Sequence, residues 1–402
     1  MVSIAVDLRK SGILALAVLL TGALVLFGSA GRLAEGRHAA RADPFHGDGM
    51  WIWYVSKAGH GDVRRIARKA HRRGIETLFI KSGDAGSTWR QFSQSLVSAL
   101  QARGFNVCGW QFVYGLRPKA EAKVGAATVR RGADCLVIDA ESHYEGRYAK
   151  ASTYIAVLRR LIGSSYPVGL SSFPYADYHQ AFPYSVFLGP GAAQYNLPQI
   201  YWKTIGDSVD AAYAHTWVWN RQYERPIAPL GQVYLNPKPR AIRRFRKLAI
   251  AHGFKGVSWW SWQHARRRQW KGVSRPIVPL RAFKPYDSFP FLRRGSAGDA
   301  VVWAQQLLAG GGYMREVTGY FRSLTWAALI GFQADHGLAQ TGTTDTATWK
   351  AMLAELEPLA IRWTSNGAVA AGSTMATIEP RSARLPARRY EIPARGPGSP
   401  RG

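Results

Sequence analysis

Acid and cysteine are the two scarcities of this 402-residue chain: 25 Asp and Glu stand against 53 Lys and Arg, and there are two Cys. Two cysteines exclude a disulfide-rich scaffold, and Cys108 and Cys135 lack the paired spacing of a metal knuckle. They read as two small buried hydrophobes, although placement on neighbouring strands would also allow a disulfide. The shortage of acid leaves a formal charge of +28. Such a charge implies attraction to a polyanion, whether nucleic acid, an anionic membrane or a cell-wall polymer. Much of the Arg also reads as solvated helix surface. Wholesale disorder is excluded, because 47% of the residues are hydrophobic and supply a sizeable core. The length suggests two or three domains.

Residues 12–30, GILALAVLLTGALVLFGSA, carry no charge and follow Arg9 and Lys10. A basic segment before an apolar run is the pattern of an export leader, and the run is also just long enough to span a bilayer. Residues 1–42 are therefore expected to be a signal peptide or an N-terminal membrane anchor. Either one exports the rest of the chain and removes nucleic acid as a partner.

Eight β-rich runs then begin near Met50, Thr77, Asn106, Cys135, Pro167, Gln199, Ala228 and Gly256, at intervals of 27 to 32 residues. Between them lie amphipathic stretches such as 62–73, with Val63, Ile66, Ala67 and Ala70 on one face and Arg or Lys on the other. One strand plus one helix, eight times over, predicts a (β/α)8 TIM barrel across residues 46–275. Glycines at 74, 104, 132 and 253 stand where four of the helices must stop before the next strand.

The fourth run reads Cys135-Leu-Val-Ile-Asp139-Ala-Glu141. Side chains alternate across a strand, so Cys135, Val137, Asp139 and Glu141 share a face, and the other face is apolar. Both acids then point into the barrel mouth, with Cα atoms roughly 6.6 Å apart from strand rise alone. Two carboxylates that close raise each other's proton affinity, which favours one protonated acid beside one ionised base. Glycoside hydrolysis uses that division. The alternative is a structural ion pair with Lys81 at the end of the second run.

Trp53, Trp110, Tyr114, Tyr201, Trp202, Trp259, Trp260 and Trp262 also gather at strand ends. Aromatic planes suit the C–H faces of sugars, but alternation sends only some of these rings into the lumen. Asp84, Asp177 and Asp207 read as solvated loop residues. His143, His179 and His264 are isolated from one another, so no metal and no cofactor is expected.

An exported barrel with D-x-E ending strand four resembles the lysozyme-type glycoside hydrolase family 25. That resemblance implies Glu141 as general acid and Asp139 as its partner. Trp262-Gln263 resembles the family's W-Q-Y, and Trp110-Gln111-Phe112 its Y-H-F. Lys81, Trp110, Tyr201, Trp262 and Gln263 are accordingly candidate substrate-binding residues. The family's strand-one Asp is missing from Met50-Trp-Ile-Trp-Tyr-Val-Ser56, as is its Asp after strand eight. The chitinase-like family 18 pattern D-x-x-D-x-D-x-E fits at Asp134, Asp139 and Glu141 but has Val137 where an Asp belongs. A glycan-binding barrel without activity is the alternative these departures leave.

Four prolines between 276 and 290 suggest a stiff linker. Beyond it, two segments repeat at a period of 23: Thr318-Gly319 before Thr325-Trp326, and Thr341-Gly342 before Thr348-Trp349. In each, a glycine turn precedes a Thr suited to capping a helix. Residues 291–354 strongly resemble the peptidoglycan-binding type 1 domain, a three-helix module. They carry its L-x-x-G-S-x-G-x-x-V-x-x-x-Q-x-x-L opening from Leu292 to Leu308 and its G-x-F…F-Q-x-x-x-G-L core from Gly319 to Leu338, with Arg322 in place of the usual Gly. The resemblance implies binding of cell-wall peptidoglycan. Residues 355–402 read as a disordered basic tail, and the whole as a monomer.

Overall fold

The computed structural model describes residues 43–370 other than Lys255, Arg275 and Asn366. The expected leader, the apolar run 12–30 included, lies outside the described residues. Among the described residues no helix is long and apolar enough to cross a membrane.

All eight runs form parallel strands: β1 Gly47–Ile52, β2 Ile75–Asp84, β3 Asn106–Val113, β4 Cys135–Ala140, β5 Val168–Ser172, β6 Tyr195–Ile200, β7 Leu230–Gln232 and β8 Gly256–Trp260. Each pairs with its neighbours in sequence, and β1 also pairs with β8, so the sheet closes. It is a TIM barrel. The surrounding helices include α1 Val63–His71, α2 Gln94–Gln101, α3 Pro118–Arg130, α4 Tyr148–Ile162, α5 Tyr184–Phe187, α6 Val209–Asn220, α7 Pro239–Ala251 and α8 Arg267–Ser274. On α1, Asp62 caps the Arg65 amide, and Ile66, Ala67 and Ala70 are buried. Gly74, Gly104, Gly132 and Gly253 have φ between 67° and 87°. A side chain resists that conformation, so the four glycines stop their helices as the sequence indicates.

Strand parity sorts the core. Trp51, Phe79, Cys108, Trp110, Cys135, Val137, Leu197 and Leu230 fill the lumen, whereas Ile80, Leu136, Ile138 and Trp259 lie beneath the helices. Cys108 stands opposite Cys135 in the β3–β4 ladder, and the two sulfurs form a disulfide rather than a pair of free hydrophobes. Sequence spacing does not reveal register. Register decides this pairing, because it brings the two Cα atoms to 4.6 Å.

The C-terminal domain holds three helices, α9 Asp299–Gly310, α10 Ser323–Asp335 and α11 Thr346–Glu355. The 23-residue repeat has a structural basis that differs from Thr capping. Thr325 and Thr348 lie inside their helices, and each hydroxyl accepts from a glutamine of the preceding helix: Gln305 at 2.8 Å and Gln333 at 3.0 Å. The same two glutamines accept from the turn amides of Gly319 and Gly342. Each Gln therefore locks the Thr-Gly turn to the following helix. Arg322 takes an extended φ of −116°, which any residue can adopt, so loss of the usual Gly costs no strain there.

The proline-bearing segment, expected as a stiff linker, is held against both of its neighbours. Tyr286 O accepts from Trp217, Arg221 lies 3.8 Å over the Phe289 ring, and Asp287 pairs with Lys350. The first part of the tail is also ordered. Strands β9 Ile361–Thr364 and β10 Gly367–Ala370 form a hairpin, and Trp363 packs on Tyr148 and donates its amide to Ser152 on α4. One buried tryptophan is enough to fasten a short hairpin that composition alone reads as tail. Residues 371–402 lie outside the described residues.

Candidate active site

Strand β4 delivers Asp139 and Glu141 to the C-terminal end of the lumen, where they are 6% and 8% exposed. The apolar residues on the opposite face of β4 pack under α3 and α4, which fixes the strand and aims both acids inward. On β6, Leu197, Gln199 and Tyr201 share the lumen-facing parity. Gln199 lies between the acids and is the residue that sequence reading missed. Its Nε2 donates to Asp139 Oδ1 at 3.0 Å, Glu141 Oε1 at 3.0 Å and Ser171 Oγ at 3.2 Å. The sixth strand starts at Tyr195, four residues before its expected start, with Pro198 inside it. Proline in mid-strand obscured the run, yet the alternation from Leu197 would have placed Gln199 inside.

Burial is the largest cause of a raised proton affinity at both acids. For Asp139 the neighbouring Glu141 charge adds to it, and its pKa goes up well beyond the usual range. Glu141 is pushed up to about 7, with the Gln199 hydrogen bond and the Lys81 charge opposing the rise. Two buried carboxylates joined through one amide hold a proton between them near neutrality.

Lys81 is 3% exposed and pairs with Asp84 at 2.6 Å, not with the two acids. Its ammonium lies 4.6, 4.8 and 5.2 Å from the ring centres of Trp110, Trp89 and Trp53. Asp84 is thus an ion-pair partner inside the site rather than a solvated loop residue. The ammonium still lowers the proton affinity of both acids through space.

Parity divides the aromatic candidates. Trp53, Trp110, Tyr114, Tyr201 and Trp260 belong to the lumen cluster, and Tyr234 joins them unforeseen. Trp110 and Trp260 meet edge to face at 5.3 Å, as do Tyr201 and Tyr234. Trp53, Tyr114, Tyr234 and Trp260 are only partly buried where they pack on this cluster. Trp202, Trp259 and Trp262 lie under the helices instead. Trp262 packs edge to face on Trp270 and beneath Lys69, so the structure removes it from the candidate sugar contacts. Gln263 is also otherwise engaged. It donates to Tyr54 O at 2.8 Å and accepts from Ser261, tying the end of β8 to the end of β1.

Three of the remaining polar candidates, Asp177, His179 and Asp207, are held in pairs. His179 pairs with Glu145 and His215 with Asp177, each at 2.7 Å, and Asp207 accepts from Tyr175. Among the described residues no group of three His, Cys, Asp or Glu is placed to hold a metal ion. A cavity at the opposite end of the barrel is lined by Phe45, Phe79, Leu197 and Ala228 and carries no carboxylate.

Residues 297–352 match the family of the peptidoglycan binding domain. No curated protein matches the chain. Similar solved structures include a chitinase from Chromobacterium violaceum ATCC 12472, at 12% identity and a TM-score of 0.43, covering 57% of this chain and 98% of that one. The Bacillus cereus spore cortex-lytic enzyme SleL gives 10% identity and 0.43, covering 59% of this chain and 76% of its own. A class V chitinase from Pseudomonas fluorescens Pf-5 gives 9% and 0.44, covering 57% and 98%. At such identities and scores these neighbours bear on neither substrate nor residue roles.

Proposed function

We propose that this protein is an exported cell-wall glycan hydrolase. Its C-terminal domain binds peptidoglycan, and its barrel cleaves the glycan backbone with Glu141 as general acid and Asp139 as the partner carboxylate. The single observation that carries the chemistry is the buried pair bridged by Gln199. Both acids are raised by burial, Glu141 to about 7, so the pair together holds a transferable proton near neutrality. The partly exposed Trp53, Tyr114, Tyr234 and Trp260 supply ring faces for sugars beside it. Export is supported by the Cys108–Cys135 disulfide, since such bonds persist in oxidising compartments. Tethering to the wall raises the local substrate concentration at the barrel.

Clearing of purified cell walls tests this reading. Glu141→Gln keeps shape and removes the proton, and the rate should fall about a hundredfold to ten-thousandfold. Asp139→Asn should lower it as well, with the melting temperature held in both variants. A second reading has a specific basis: the lumen positions of β1 are Trp51 and Trp53, with no carboxylate on that strand's inner face. If the wild type binds walls and releases no reducing ends, the barrel is a glycan-binding scaffold and the acid pair is structural.

A further inference from the structure

The positive charge is not spread evenly around the barrel. Helices α1, α7 and α8 together carry twelve Lys and Arg and no Asp or Glu. Helices α2 and α6, on either side of them, carry no Lys or Arg. The three basic helices are adjacent in space. Arg73, just past α1, donates to Ser274 Oγ on α8 at 3.3 Å, and Lys69 on α1 lies 4.6 Å from the Trp270 ring of α8. Gly272 of α8 sits so close to α7 that a Cβ there would come within 2.9 Å of Ile242.

Complementing the helix dipole does not explain this. That effect acts within the last turn of each helix. The last turns of α2, α6 and α7 contain no basic residue, whereas α7 carries five of the twelve cations ahead of its last turn. Internal pairing does not explain it either. Among the described residues, the ion pairs made by the three helices are Arg244 with Asp210 and Arg246 with Asp48. Arg64, Arg65, Arg68, Arg240, Arg267 and Arg268 are exposed.

Charges one helical turn apart are separated by about 5.4 Å, and packed helices by about 8–10 Å. Both spacings are within about one screening length at physiological salt, so the potentials of neighbouring cations add. The face is the outside of a barrel and is convex. A flat bilayer or a stiff duplex would touch it along a line, whereas a flexible chain can follow its curvature and meet cations on all three helices.

We infer that the α7–α8–α1 face is a binding surface for a flexible phosphodiester polyanion of the cell wall, separate from the barrel mouth and from the peptidoglycan-binding domain. The surface would hold the enzyme along an anionic wall polymer while the mouth works on glycan. It requires no activity from Asp139 or Glu141, so its test is independent of hydrolysis.

The test uses the full chain, poly(glycerol phosphate) and long-chain polyphosphate as probes, and anisotropy read across a salt series. The variant R64Q/R68Q/R240Q/R268Q removes four exposed charges from the face. The control K119Q/K123Q/R130Q/R160Q removes four from the α3–α4 side, giving the same net charge. The face variant should bind at least about tenfold more weakly, with a log–log salt slope shallower by about 3, from roughly 0.7 per lost contact. The control should stay within about twofold of wild type. Should the fourfold variant fold poorly, R64Q/R240Q takes its place, with about half the change in slope. Equal losses in face and control variants would overturn the inference, because net charge alone would then explain binding. No binding of either polymer at 0.15 M salt would overturn it too. So would tighter binding to phosphatidylglycerol vesicles or to duplex DNA than to the flexible polymers.

Discussion

Asp299, in the first turn of α9 in the C-terminal domain, accepts a 2.6 Å hydrogen bond from Ser185 Oγ on the flank of the barrel. The same carboxylate accepts from the Ser185 amide and the Tyr223 hydroxyl, both at 2.8 Å. Four residues on, Trp303 donates to Gln222 O at 2.5 Å and is buried. The barrel flank and this domain therefore share one core, and the domain is not a free appendage. Asp299→Ala leaves the Ser185 and Tyr223 donors unpaired in the seam. It should cost about 2–4 kcal/mol, read as a shifted urea midpoint. A loss below about 0.5 kcal/mol would mean that water replaces the carboxylate.

Burial outweighs the hydrogen bonds at this acid, and that gives stability a definite pH sign. Burial pushes Asp299 up to about 6 from an ordinary 3.8, against the opposing hydrogen bonds of Ser185, Tyr223 and Tyr148. A raised acid stabilises the fold in its protonated form. That contribution is complete below the unfolded value and is lost as pH rises through about 6. Between pH 7.5 and pH 5 Asp299 alone should add roughly 1.4 kcal/mol, and Asp299→Asn should remove that increment. Denaturation at the two pH values checks it. Identical pH slopes in both proteins would exclude Asp299 as the source.

Gln199 should set the proton affinity of the acid pair rather than supply chemistry. Its amide opposes the rise at Glu141. Gln199→Leu should therefore move the pH limb governed by Glu141 upward and slow glycan cleavage by about tenfold or more, the scale of one hydrogen bond to a charged group. Gln199→Glu should slow it further by adding a third acid. A slower rate with an unmoved profile would assign Gln199 to packing alone.

Two tryptophans two residues apart should behave oppositely. Trp262 is buried against Trp270 beneath α1 and α8, so Trp262→Ala should cost about 3–5 kcal/mol of stability. Trp260 faces the lumen beside Trp53 and Trp110 and is partly exposed. Trp260→Ala should spare most of the stability and weaken binding of soluble glycan fragments. Calorimetric melting and fragment titration on both variants separate the two roles.

The proposed export can be checked on the folded chain alone. The disulfide lies in the lumen and both cysteines are fully buried, so only a chain that met an oxidising compartment should carry it. Intact mass of native protein should be about two hydrogens below the reduced value. Free thiols in protein taken from its native host would place the folded chain in a reducing compartment.

The eight strands, the helix stops at glycine and the inward parity of Asp139 and Glu141 were legible in the sequence. Each rests on local periodicity or on a residue with one conformational use, which the chain carries regardless of what surrounds it, whereas the three helices of the C-terminal domain came from the resemblance of residues 291–354 to a known module. Tertiary structure decided which groups meet across the barrel. Register on β3 and β4 joined Cys108 to Cys135, and the earlier start of β6 brought Gln199 to both acids. Trp262 turned outward while Trp260 stayed in. Asp299 reached Ser185 across 114 positions of chain. Contacts at such separations depend on how whole elements pack, and alternation along one strand carries no information about them.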